Sequence, residues 1–124
     1  MMRPPPPEID VREADRRRRD AGPGGPLMVD VREPSEFAET RAEDVALVPT
    51  STFVARFREL PQDRPLMMIC RSGVRSGNAT TFLLANGWTD VVNVAGGMLA
   101  WEAAGLPVRR GVPAPGEGEL PRNE

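Results

Sequence analysis

The sequence predicts an α/β domain built on a largely parallel central sheet flanked by helices. Three observations carry that expectation. Short apolar runs of strand length recur at Leu27–Val31, Leu66–Ile69 and Val91–Val94. Apart from Asp30 and Asn93 they are apolar rather than alternating, as strands buried on both faces are. Stretches with helical spacing separate them, and strand–helix alternation is the pattern of parallel sheets. At 124 residues the chain has the length of one domain and needs no staple to bury a core.

The elements follow in order. Residues 1–7 contain four consecutive prolines and are expected to form an extended, poorly ordered arm. Ile9 and Val11 alternate with charged neighbours, as in a short edge strand. Arg12–Asp20 has helix formers with almost no apolar face, which predicts a surface helix, and Gly22–Pro26 forces a loop. Leu27–Val31 reads as a buried strand, and Pro34 suits the first turn of a helix anchored by Phe37. Val45–Val48 is the next strand. Thr50 or Ser51 is expected to cap a helix in which Phe53, Val54, Phe57 and Leu60 make one apolar stripe, stopped by Pro61.

Leu66–Ile69 is the most apolar run, with Cys70 directly after it. A helix from about Ser76 to Asn86 turns Ala79, Phe82 and Leu83 inward and stops at Gly87. After the strand Val91–Val94, Gly96–Gly97 turns the chain into a last short helix carrying Leu99 and Trp101. Residues 110–124, rich in Gly, Pro and Glu, read as a flexible, solvated tail, which leaves 8–109 as the domain.

Composition removes several chemistries. All 16 basic residues are arginine, and there is neither lysine nor histidine. A Ser-His-Asp triad, a Cys-His pair, a lysine Schiff base and a His-ligated metal are therefore excluded within this chain. The net charge of −2 gives no global positive field for nucleic acid. The single cysteine cannot form an internal disulfide and suits a reducing compartment. No apolar run has the length of a membrane span and no export leader is evident, so the expected location is the cytoplasm.

The segment with chemical content is Cys70-Arg71-Ser72-Gly73-Val74-Arg75-Ser76, between a buried strand and a helix. Sites in open α/β sheets form at the carboxyl ends of strands. A loop bending there into a helix N-terminus aims several backbone N–H groups at one point and makes an anion nest. Arg71 and Arg75 add permanent charge and planar donor forks. Thiols in such positions fall from a pKa of about 8.5 to roughly 3.5–7.5, so Cys70 is expected to be a thiolate.

In these residues the chain resembles the rhodanese family. CRSGVRS matches the family's active-site loop, DVREPSEF (Asp30–Phe37) is similar to its strand-to-helix segment, and NVAGGMLAW (Asn93–Trp101) to its glycine pair and helix tryptophan. Their order and spacing fit one rhodanese-like domain from about Glu8 to Arg109. One stretch departs. Where the family has Gly-His-Ile and then Gly-Ala, this chain has Thr40-Arg41-Ala42-Glu43-Asp44-Val45, which predicts an altered turn there.

The resemblance implies sulfur transfer in two steps, without metal or organic cofactor. Cys70 takes sulfane sulfur from a small anionic donor such as thiosulfate and passes the persulfide sulfur to cyanide, a thiol or a sulfur-accepting protein. Arg75 is expected to hold the donor oxyanion. Arg71 contributes field and donor selection, and the loop amides from Arg71 through Ser72, Gly73 and Val74 to Arg75 stabilise thiolate and persulfide. No nucleic-acid or membrane partner is implied.

Two other classes compete. Cysteine-loop phosphatases and arsenate reductases place arginine six positions after cysteine. Here serine stands there and the arginine comes one residue earlier, a smaller ring that favours sulfur. A non-catalytic regulatory or binding module commonly lacks the cysteine, which this chain keeps. Among the other polar residues, Asp30 and Arg32 read as a structural tie, Trp101 as core or rim, and Arg16–Arg19 as a solvated helix face because Glu13, Asp15 and Asp20 flank it.

Overall fold

The computed structural model describes residues 4–121, so the outermost ends of the expected arm and tail lie outside the described residues. The chain runs through β1 (Glu8–Ile9), α1 (Val11–Asp20), β2 (Leu27–Asp30), α2 (Pro34–Glu39), β3 (Arg41–Ala42) and β4 (Val45–Leu47). It continues through α3 (Phe53–Arg56, with a 3-10 turn at each end), β5 (Leu66–Ile69), α4 (Val74–Ala85), β6 (Val91–Val94), α5 (Gly97–Ala103) and β7 (Val108–Arg109). Five strands form one parallel sheet in the order β1-β6-β5-β2-β4. β3 and β7 make a separate antiparallel pair.

β5 is central, with Leu66 opposite Leu27 on one side and Val91 on the other. Alternate side chains along a strand face opposite layers. Leu66, Met68 and Cys70 pack with Phe53 of α3, Phe57 of the 3-10 turn after it, and Ala79 and Leu83 of α4. Met67 and Ile69 pack with Val11 and Ala14 of α1, Phe37 of α2, and Met98 and Trp101 of α5. Both faces being covered explains why β5 is apolar throughout. The helix after β5 and the helix after β6 therefore lie on opposite faces. That arrangement opens a crevice between the two strand ends, where ligands bind in such sheets.

Several local expectations are corrected. Phe53, Phe57 and Leu60 face the core, but Val54 is 70% exposed. The segment is one helical turn between two 3-10 turns, and the change of period rotates Val54 away from the stripe. Neither Thr50 nor Ser51 caps it. The Thr50 hydroxyl donates to the Val31 carbonyl at 2.7 Å, and that of Ser51 to the Glu33 carboxylate at 2.6 Å. α1 is half sunk rather than a plain surface helix, with Val11, Ala14 and Asp15 buried. Its Arg18 lies over the Trp101 ring, pairs with Asp15 at 2.8 Å and donates to the Glu43 carbonyl.

At the altered turn Asp44 takes φ +56°, a left-handed conformation that aspartate tolerates better than most residues. Arg41 beside it is buried. It donates to the carbonyls of Phe37 at 3.1 Å and Gly111 at 2.8 Å and pairs with Glu117. The C-terminal segment expected as a solvated tail is thereby laid against the domain. The Gly118 carbonyl accepts from Leu47 N–H at 2.7 Å, which satisfies part of the free edge of β4, and Leu120 packs on the core. At the other end of the sheet, Pro7 accepts from Asn93 N–H at 2.8 Å, and Pro4–Pro7 line an apolar groove with Thr81, Leu84 and Ala85.

This strap is testable. Glu117→Ala leaves the buried Arg41 guanidinium with two carbonyls and no counter-charge, and loss of a charged hydrogen-bond partner typically costs about 1.5–3 kcal/mol. Urea unfolding should show a loss in that range. An unchanged midpoint would mean that the strap adds nothing to stability.

Candidate active site

β5 ends at Ile69, and Cys70 follows it directly. Gly73, at φ +103°, then reverses the chain into α4, whose first residue is Val74. Only a residue without Cβ takes that conformation readily. The reversal carries the sulfur to the helix N-terminus, where the amides are free to donate. Cys70 Sγ accepts from Gly73 N–H at 3.1 Å and lies 3.2 Å from the Ser76 hydroxyl. The residue is 1% exposed. Burial pushes the thiol pKa up, but the Ser76 hydroxyl and the amides of Ser76, Gly73 and Ser72 outweigh it, so the net direction is down.

The loop is braced from the helix that follows the neighbouring strand β6. The carbonyls of Cys70 and Arg71 accept from Met98 N–H at 2.8 Å and Leu99 N–H at 3.0 Å, in the first turn of α5. This brings Gly97 so close that a Cβ there would run into both carbonyl oxygens. The glycine pair is thus a packing requirement of the cysteine loop.

The two arginines occupy different situations. Arg75 makes a two-pronged pair with Glu36 of α2, at 2.7 and 2.9 Å. Glu36 also accepts from Glu33 N–H, and the Glu33 carboxylate reaches Ser51, so one polar chain joins the loops after β2, β4 and β5. Arg71 is exposed and makes no ion pair among the described residues. With Arg32, Glu36, Thr40, Leu99 and Arg110 it lines a cavity of about 390 Å³. Arg75, expected as the main anion ligand, has a carboxylate in hand, whereas Arg71 is unpaired among the described residues and shares its cavity with the carboxylates of Glu36, Glu39 and Glu102.

Ser72 is exposed, and Val74 is 67% exposed at the loop's outer side. Asp30 and Arg32 form a buried pair at 2.8 Å, and Arg32 also donates to the carbonyls of Thr40 and Glu36, so together they tie the loop after β2. Trp101 is fully buried and donates to the Pro107 carbonyl. Among the described residues, no three His, Cys, Asp or Glu side chains converge on one point.

The sequence reading named neither Ser76, Asn93, Glu36 nor Gly97 as a site residue. Each stood inside a quoted motif. The opposite charges of Glu36 and Arg75 in two such motifs were the one available hint of contact.

The model of the rhodanese-like domain matches residues 10–104, a span that holds the whole cysteine loop and its supports. The chain belongs to the rhodanese-like domain family. A sulfurtransferase of Allochromatium vinosum is 37% identical over 101 residues, covering 82% of this chain and 92% of that protein. The thiosulfate sulfurtransferase GlpE of Vibrio cholerae is 30% identical over 81 residues, or 65% of this chain and 76% of that one. The matches to relatives from Bacillus subtilis and Synechocystis span 59% and 50% of those proteins' lengths. Among solved structures, a rhodanese-related protein of Thermoplasma volcanium superposes with a TM-score of 0.75 at 27% identity, covering 83% of this chain and 97% of that one.

Two outcomes test this rhodanese-like geometry. Gly97→Ala should leave a folded protein whose Cys70 alkylation rate differs from wild type, because the loop must move to clear the new methyl. An unchanged rate would show that α5 does not brace the loop. The second concerns Glu36, whose carboxyl is held at about 2. The Arg75 hydrogen bonds dominate, burial opposes them, and the Glu33 amide and the charges of Arg75 and Arg32 assist. Its folded value lies below the unfolded one of about 4.3. The pair's contribution is therefore complete above that value and lost as pH falls toward 2. After screening it amounts to about 1 kcal/mol. The stability gap between wild type and Glu36→Gln should close between about pH 5 and pH 2. A gap constant over that range would remove Glu36 ionisation from the fold's stability.

Proposed function

We propose that the chain is a sulfurtransferase that carries sulfane sulfur on Cys70 as a persulfide. The observation that supports this most directly is the sulfur itself. It is buried, accepts from a loop amide and lies beside a hydroxyl at the start of α4. Such a setting favours a thiolate nucleophile. Relatives named as sulfurtransferases support the same reading.

In the first step the Cys70 thiolate attacks the outer sulfur of a donor such as thiosulfate. A bond forms from Sγ to that sulfur, the donor's sulfur–sulfur bond breaks, and sulfite leaves with the bonding pair. The persulfide keeps one negative charge. In the second step cyanide or a thiolate attacks the terminal sulfur, the persulfide bond breaks, and Cys70 returns as thiolate. Neither step needs a proton relay, which fits a chain without histidine. The loop amides supply the electrostatic stabilisation. The sole thiol must stay reduced between cycles, which suits the cytoplasm.

Donor capture falls to Arg71 in this reading, because Arg75 is held by Glu36. The same bond weighs against chemistry at phosphorus, since the arginine that would clamp a tetrahedral oxyanion is spent on a carboxylate.

Thiosulfate-to-cyanide assays and intact mass spectrometry test the proposal. Wild type treated with thiosulfate should gain one sulfur atom, reversibly with dithiothreitol, and Cys70→Ser should gain none and lose turnover. Arg71→Ala should raise KM for thiosulfate more than for an uncharged sulfur donor. Arg75→Ala should impair both donors alike through the loop. Turnover retained by folded Cys70→Ser would end the persulfide reading.

A further inference from the structure

We propose that Asn93 is a positioning residue that competes with Cys70 for the single proton of the Ser76 hydroxyl, and so limits how far the cysteine thiolate is stabilised. The inference rests on the cysteine site above but not on the sulfur-transfer reaction.

The geometry leaves little freedom. The Asn93 side-chain NH₂ donates to Glu8 Oε2 at 2.9 Å and to the Gly73 carbonyl at 3.0 Å, both of which can only accept. That fixes the amide's orientation and turns Oδ1 toward Ser76 Oγ, 2.6 Å away. Oδ1 has no proton, so the hydroxyl must donate to it. Yet Ser76 Oγ is also 3.2 Å from Cys70 Sγ, and a serine has one proton to give. Ser76 and Asn93 are both buried, so water is not at hand to relieve the conflict.

Each sulfur state resolves the conflict differently. A neutral thiol donates to Ser76 Oγ while Ser76 donates to Asn93, and every group is satisfied. A thiolate has no proton to offer. Either the hydroxyl turns to the sulfur and strands the buried Asn93 oxygen, or it stays and presents lone pairs to an anion. Asn93 therefore stabilises the thiol relative to the thiolate. In a persulfide the charge moves to the outer sulfur, and the hydroxyl returns to Asn93. The consequence for reactivity follows from thiolate chemistry: a pKa driven far below ambient pH makes a weaker nucleophile. Asn93 holds the sulfur nearer the reactive optimum.

The charged groups around the sulfur are Arg71 on its own loop, Arg75 in the first turn of α4, Asp30 and Arg32 at the end of β2, Glu36 on α2, and Glu8 of β1 beyond the Asn93 side chain.

The test is the pH dependence of Cys70 alkylation by iodoacetamide, which needs no sulfur donor and is independent of whether the chain transfers sulfur. Asn93→Leu removes the competing oxygen. The groups it abandons keep other partners, since Gly73 O still accepts from Gly77 N–H and Glu8 is exposed. The thiol pKa should fall by about one unit. Ser76→Ala should raise it by about as much. The double variant should match Ser76→Ala alone, because Asn93 acts only through the hydroxyl. Should Asn93→Leu be too bulky to fold, Asn93→Ala removes the same oxygen and carries the same outcomes. An alkylation pKa that rises or stays put on losing Asn93, or that still falls with Ser76 already gone, overturns the proposal.

Discussion

A sulfur anion inside a protein must be solvated by the protein, and that constraint organises this domain around Cys70. Water cannot supply the donors, because the residue is almost wholly buried. Helix N-termini carry unpaired N–H groups, and a parallel sheet feeds each strand's carboxyl end toward one. Gly73 bends the chain tightly enough for those amides to reach back to the sulfur. Gly97 lets α5 close on the carbonyl side of the same loop, so the dipoles that face the sulfur are held from behind. The donors are ordered before any charge appears, which is where electrostatic preorganisation has its effect.

The arginines show how charge is apportioned once amides carry the solvation. A permanent cation in direct contact with the sulfur would stabilise its anion further and blunt it as a nucleophile. Arg75 is instead neutralised by Glu36 and joins three loops at the carboxyl edge of the sheet. Arg71 stays exposed beside the cavity and makes no ion pair among the described residues. Two arginines four residues apart thus differ, one paired and one exposed, according to whether a carboxylate on another element lies within reach.

The parts of this architecture that were legible in the sequence are those governed by local pattern. β5 and β6 were readable because both faces of each are covered, and Cys70 was placed because it directly follows the most apolar run. α4 starts two residues earlier than Ser76, since Gly73 turns the chain at once. What escaped depends on partners far apart in sequence. The composition of residues 110–121 is that of a solvated segment, yet a buried Arg41 more than 70 residues away needs the Glu117 carboxylate. The pairing of Arg75 was likewise out of sight, because a lone loop arginine next to a nest has no visible counter-charge in the sequence. Glu36 supplies one only after β2 and β5 pair. Val54 was misplaced by assuming a constant helical period across a segment that tightens at both ends.

The hydroxyl–amide pair behind the sulfur adds one more layer to the same constraint. Backbone amides always point the same way, so a nest built of them alone would stabilise a thiolate without limit of timing. Ser76 is different, because its proton can rotate, and Asn93 gives it somewhere else to point. Asn93 can hold that position only because its own NH₂ is pinned from two sides, by the Gly73 carbonyl of the cysteine loop and by Glu8. Glu8 stands opposite Asn93 in the register of β1 on β6. A two-residue strand at the sheet's edge, which contributes little to the core, thereby reaches the reactive centre through one amide. The edge strand, the amide and the hydroxyl form a line of fixed dipoles ending in a movable one, and the movable one faces the atom whose charge changes.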